Sequence, residues 1–140
     1  MSAMTHGESA AENKGFHIAL WAVQIVLAFA FVSAGVMKTF LPLEQLVASM
    51  AWVESVGSFV RFIGICELLG GIGMIVPAAT RIKPVLTPIA AIGLLIIMVL
   101  AAGLHFTRTE FDAIPITLVL GALAAFVAWG RFTKARIHPR

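Results

Sequence analysis

Charge is scarce in this sequence. Only 12% of its 140 residues are Asp, Glu, Lys or Arg, whereas 60% are hydrophobic, and the mean hydropathy is +0.99. A water-soluble domain of this length needs far more charge on its surface, so the solvent for most of this chain is lipid. Cysteine is scarcer still: Cys66 stands alone inside an apolar segment. Intramolecular disulfide and CxxC chemistry are therefore excluded, together with metal sites built from several thiolates. A basic patch interleaved with aromatics is also missing. The net charge is +3, and four of the ten basic residues (Arg131, Lys134, Arg136, Arg140) follow directly on an apolar run. That placement reads as a membrane anchor and gives no footing to nucleic acid.

What is present is four apolar runs, each close to the roughly 20 residues that a helix needs to cross about 30 Å of hydrocarbon. They cover about 18–37, 59–76, 85–104 and 113–130. Helices are required, because an isolated strand leaves its backbone unpaired in lipid. The expected fold class is all-α: a membrane four-helix bundle. Pro77 is expected to close the second run, and Pro84 and Pro88 fall in the first turns of the third. Asp112 is a candidate N-cap for the fourth, with Pro115 near its third position. The short basic turn 78–83 makes the second and third spans antiparallel neighbours. Ala28-Phe29-Ala30 offers a small-x-small pattern, but the apolar run continues too far past it for a signal peptide. Residues 1–16 lack periodicity and are expected to form an unstructured cytoplasmic tail, and 133–140 a basic one.

Four spans put both termini on one side. That side collects Lys14, Arg81, Lys83 and the four C-terminal cations, against Lys38, Arg61 and Arg108 on the other. The excess predicts cytoplasmic termini, in a bacterium at the inner membrane, with Trp21 and Trp129 at the inner interface and Trp52 at the outer one. In the first outer loop, Leu43, Leu46, Val47, Met50, Val53 and Val56 recur at helical spacing. This predicts an interfacial helix over about 43–56 that either covers the bundle end or acts as a lid.

The polar residues inside the spans carry the functional signal. A carboxylate at mid-bilayer costs at least ~2.5 to 3.5 kcal/mol and needs a partner or a proton. Glu67 is such a residue, and Gly64, Gly70 and Gly71 around it let another backbone approach. On the first span Gln24, Ala28, Phe31, Gly35 and Lys38 lie within one stripe. Lys38, Arg61 and His105 reach the outer boundary, with Glu67 about six residues, or ~9 Å, beneath. The expectation is a polar site opening outward, built from Glu67, Lys38, His105, Arg61 and Gln24, with Gly35, Gly64, Gly70, Gly71 and Gly121 packing helices. The alternative is ordinary: Lys38 and Arg61 as snorkelling anchors, His105 as a solvated boundary residue, Glu67 as a protonated carboxyl bonded to a neighbouring helix. Cys66 beside it reads as packing. His17 and His105 fall at opposite ends of their spans, roughly 25 to 30 Å apart, which excludes a haem held by both and a zinc site of the usual kind.

The segment Phe31-Val-Ser-Ala-Gly-Val-Met-Lys38, followed by Phe40-Leu-Pro42, resembles the DoxX-like family of small membrane proteins. So do Phe62-Ile-Gly-Ile-Cys-Glu-Leu-Leu-Gly-Gly-Ile-Gly73 ending in Pro77, His105 after the third span and Gly130-Arg131 after the fourth. The resemblance covers about residues 16–132. It implies four helices and, by analogy with relatives that are small subunits of quinone-linked oxidoreductases such as a thiosulfate:quinone enzyme, a place in a redox system. It also implies that Lys38, Glu67 and His105 form a shared polar site.

Three functions compete at this stage. The first is an accessory subunit of a redox system, without covalent cofactor or catalytic residues of its own, engaging a quinone, a lipid or a partner oxidoreductase. The second is a small proton-coupled carrier titrating at Glu67, which needs a homo-oligomer for alternating access. The third is an assembly factor whose small-residue faces, Ala30-xxx-Ala34 and Gly121-xxx-Ala125, bind other membrane helices.

Overall fold

The computed structural model describes the backbone from Ser2 to Arg140 and the side chains from Glu12 onward. Helix α1 runs Ser2–Phe40, α2 Leu43–Ser49, α3 Val53–Val56, α4 Val60–Thr80, α5 Leu86–Thr107 and α6 Ile114–Trp129. A 3-10 turn, Gly57–Phe59, leads into α4, and a π turn, Gly130–Lys134, ends α6. The four long segments are the candidate spans Glu12–Phe40, Val53–Thr80, Leu86–Thr107 and Ile114–Lys134. Large apolar side chains such as Phe29, Leu69, Val99 and Leu100 stand exposed around the bundle, as expected of helices whose outer faces meet lipid. Inside, Leu20, Leu27, Phe31, Met74, Leu94, Met98 and Val127 form the core.

The boundaries differ from the sequence expectation in four places. The backbone of 2–15, expected as tail, continues α1 to 39 residues, ~58 Å at 1.5 Å per residue. Extending a helix already nucleated by a span fixes only one further residue per hydrogen bond, so a polar stretch can follow. Pro77 does not close the second span but lies within α4, which continues to Thr80. The carbonyl that Pro77 leaves without an amide is that of Gly73, and Thr87 Oγ1 on α5 donates to it at 3.0 Å. Neighbouring hydroxyls are how membrane helices accommodate proline. Asp112 does not cap α6: the N-cap is Ala113, with no side-chain bond, and Pro115 occupies the first turn. The loop between the first two spans is two short helices, not one, parted at Met50, whose backbone is extended (φ −138°). Leu46, Val53 and Val60 bury completely in a second apolar cluster with Val47, Met50, Trp52 and Val56, which fastens the loop over the bundle.

Helices α1 and α4 pack closest. Gly35 lies against the Leu68 backbone and the Gly64 carbonyl, and Gly64 against Lys38 and Thr39, at separations where a Cβ would collide. Gly71 meets Val32, Gly70 meets Leu94 of α5, and Gly121 meets Met98. Helices α1 and α6 meet at the end carrying the termini, where Gly130 abuts Leu20 and Phe16 packs edge-on against Phe126 and Trp129. Toward the other end the bundle opens into a cavity.

Candidate functional site

The cavity, about 400 Å³, sits in the half of the bundle away from the termini. Its walls are Ala30, Phe31 and Ala34 of α1, Phe62, Ile63 and Cys66 of α4, Ile97, Met98 and Leu100 of α5, and Thr117 and Leu120 of α6. Phe62 and Leu100 are also exposed on the outer surface of the bundle, so the cavity borders lipid. Trp52, Met50 and Val56, from the loop between the first two spans, close its end.

Its polar end is an ion pair. Lys38 Nζ donates to both carboxylate oxygens of Glu67, at 2.8 and 2.7 Å. The Glu67 side chain is 2% exposed and that of Lys38 11%. Sequence spacing separates the two by about two helical turns in depth. The four-carbon stem of Lys38 closes that gap by running down between α1 and α4, where Gly64 leaves room for its Cβ. The insertion cost of Glu67 is thereby met by a counter-charge. An ammonium has three N–H groups and two are used on Glu67, so one remains for an acceptor in the cavity.

Arg61 does not reach Glu67. Its Nη1 donates to the Lys38 carbonyl at 2.8 Å, satisfying the end of α1 and fixing where Lys38 starts. His105 lines the cavity and bonds Glu110 through Nδ1 at 2.7 Å. The ionised carboxylate only accepts, so Nδ1 carries the proton, which leaves Nε2 as the ring nitrogen able to accept. Hydrogen bonds from His105, then Arg108, hold the Glu110 carboxyl below the usual carboxylate range. Arg108 Nε lies 2.9 Å from Glu110 and its Nη1 bonds the Ser55 hydroxyl, tying the α5–α6 loop to α3. Trp52 completes the roof, with the Lys38 ammonium 5.4 Å from its ring centroid and His105 edge-on at 6.3 Å. The arrangement offers a donor from Lys38 and an acceptor from His105 above an apolar chamber.

Sequence reasoning brought Lys38, Glu67, His105 and Arg61 to one end, and there they are. Gln24 is a correction. It lies at the opposite end, fully buried, giving Nε2 to the Met74 carbonyl (2.6 Å) and taking Arg131 Nε (2.7 Å). A shared stripe on α1 fixes direction around the axis, but the 14 residues from Gln24 to Lys38 are ~21 Å along it. Trp52, Glu110 and Cys66 are site residues that spacing did not single out. A hint existed for Glu110, an acid five residues past a boundary histidine. Ala30 and Ala34 line the cavity, and Gly121 packs against Met98 inside the bundle. Among the described residues no three His, Cys, Asp or Glu side chains converge as metal ligands.

Residues 22–127 match the DoxX-like family, a stretch that covers the second and third spans, most of the first and last, and the whole cavity lining. No curated protein and no solved structure matches the chain.

Proposed function

The chain belongs to the DoxX-like family, and on that premise we propose that it is an accessory subunit of a membrane redox system, holding a quinone in the cavity beneath Trp52. The observation that supports this reading is the cavity itself: an apolar chamber bordering lipid, with one charged pair at its head. Ligand sites are commonly apolar clefts of ~300–1,000 Å³ with a few convergent polar groups. A quinone has that build. Its ring and isoprenoid tail fill apolar space, and its carbonyl oxygens accept hydrogen bonds. The third N–H of Lys38 suits one carbonyl, and His105 Nε2 suits the hydroxyl of the reduced form. The ligand reaches the chamber from the bilayer, past Phe62 and Leu100. Electrons come from a partner oxidoreductase docked at the same membrane. The face with the termini is taken as cytoplasmic, at a bacterial inner membrane, because seven of the ten basic residues collect there.

The test is purification from native membranes in a mild detergent, followed by mass spectrometry of the extracted lipids. A quinone is expected to accompany the wild-type protein and to be absent from the doubly substituted Lys38→Met/Glu67→Met protein, which keeps the volume and loses the polar end. Failure to retain a quinone, and failure to bind one added in excess, would refute the reading.

A further inference from the structure

At the other end of the bundle lies a second polar cluster that the cavity does not use. Arg131, on the π turn after α6, is 3% exposed. Its Nε donates to Gln24 Oε1 at 2.7 Å, and its Nη1 approaches His17 Nδ1 (2.8 Å) and the Ala135 carbonyl (3.0 Å). Its Nη2 is buried without any acceptor. Trp21 stacks its ring 5.6 Å from the guanidinium and gives its indole N–H to His17 Nε2 at 3.1 Å.

The cluster is short of acceptors. A neutral imidazole accepts at one nitrogen only, so His17 satisfies Arg131 or Trp21 but not both. Neither Gln24 nor the carbonyls have capacity aimed at Nη2. The cluster is also short of negative charge. All three ion pairs among the described residues lie at the opposite end, on Glu67 and Glu110. Lys14, Arg81, Lys83, Arg131, Lys134, Arg136 and Arg140 share this end, and among the described residues none of them lies within ion-pair distance of a carboxylate. An unpaired buried guanidinium is among the most costly arrangements a fold can carry.

The geometry points to a phosphate-binding site centred on Arg131, filled by the headgroup of an anionic phospholipid or by free phosphate. A phosphate brings acceptors and negative charge only. Seated where the Ala135 carbonyl now lies, it engages Nη1 and Nη2 together in the two-pronged geometry that guanidinium favours. The element that must yield is the segment after the π turn, Ala135–Arg140, which crosses to the α4–α5 turn through Arg81 Nε to the His138 carbonyl (2.9 Å). Lys134, exposed on the same turn, adds a second cation. Among the described residues, Arg131 is the one arginine with a buried guanidinium nitrogen left without an acceptor. The site is independent of the quinone reading, since it shares no residue with the cavity.

The experiment uses the full-length protein, stripped of lipid in a neutral detergent. Binding of phosphatidylglycerol, phosphatidylcholine and inorganic phosphate is followed by native mass spectrometry and thermal shift. Phosphatidylglycerol should bind about tenfold more tightly than phosphatidylcholine, and Arg131→Lys should remove that preference, the loss expected for one charge-assisted hydrogen bond. Lys83→Gln, on the same face but away from the cluster, should leave binding unchanged. Competition by inorganic phosphate identifies the free anion as sufficient, and its failure to compete assigns the site to the lipid. If Arg131→Lys yields too little folded protein, Lys134→Gln serves in its place, with a weaker loss in the same direction. Equal affinity for the two lipids, or a loss in Lys83→Gln matching that at the cluster, overturns the proposal.

Discussion

Lys38→Met is expected to destabilise the protein by about 3–5 kcal/mol, the cost of removing one member of a buried ion pair. The size follows from the asymmetry of the pair. Glu67 is 2% exposed and lies well inside its span, so without Lys38 its carboxylate has no counter-charge and no route to water. Glu67→Met should cost much less. Lys38 starts near the end of α1, and its stem can turn the ammonium outward beneath Trp52. The double substitution Lys38→Met/Glu67→Met should recover wild-type stability or exceed it, because well-packed apolar replacements of buried ion pairs are commonly neutral or stabilising. Detergent-unfolding titrations of the four proteins form a double-mutant cycle that isolates the pair. Equal losses in both single variants, added together in the double, would mean that the two side chains do not depend on each other.

Gly35→Leu is the second large effect, and the expected outcome is failure to accumulate in the membrane. A Cβ at Gly35 would stand 2.6 Å from the Leu68 amide nitrogen and 2.7 Å from the Gly64 carbonyl. Both are backbone atoms, so no rotamer change relieves the clash and α1 must move off α4. Overpacking costs ~1–3 kcal/mol where side chains can adjust, and here they cannot. The same shift withdraws Lys38 from Glu67, since both ends of the pair hang on this contact. Gly93 supplies the control: nothing lies within 4 Å of its missing Cβ, and Gly93→Ala should gain up to ~1 kcal/mol of helix propensity. Membrane-fraction yield and detergent-unfolding midpoint measure both.

Much of this arrangement was legible in the sequence because lipid penalises so few exceptions. Four runs of the right length forced four spans, and one carboxylate within them demanded an internal partner. Glycines around Glu67 indicated that it faces another helix. What spacing could not supply was reach and depth. Lys38 is placed at the rim by its Cα, yet its long stem brings the charge down to Glu67. Gln24 shares a helical stripe with Lys38 but belongs to the other end. Pro77 reads as a stop until Thr87, on a different helix, is seen to take up the freed carbonyl. The Arg131 cluster was hidden most completely. Its key bond joins residues 107 positions apart, and an arginine after the last span otherwise reads as an ordinary anchor. Trp52 reads from the sequence as an interface residue, while its place over the cavity depends on a break at Met50 that periodicity does not show.

The central claim, that the chamber beneath Trp52 holds a quinone against Lys38 and Glu67, can be tested on the chain's single cysteine. Cys66 lines the chamber beside Glu67 and is partly accessible. Its rate of labelling by a membrane-permeant maleimide should fall as a short-chain quinone is titrated into the purified wild-type protein. In the Lys38→Met/Glu67→Met protein the same titration should leave the rate unchanged. A wild-type rate that stays constant up to quinone saturation of the detergent would contradict the account.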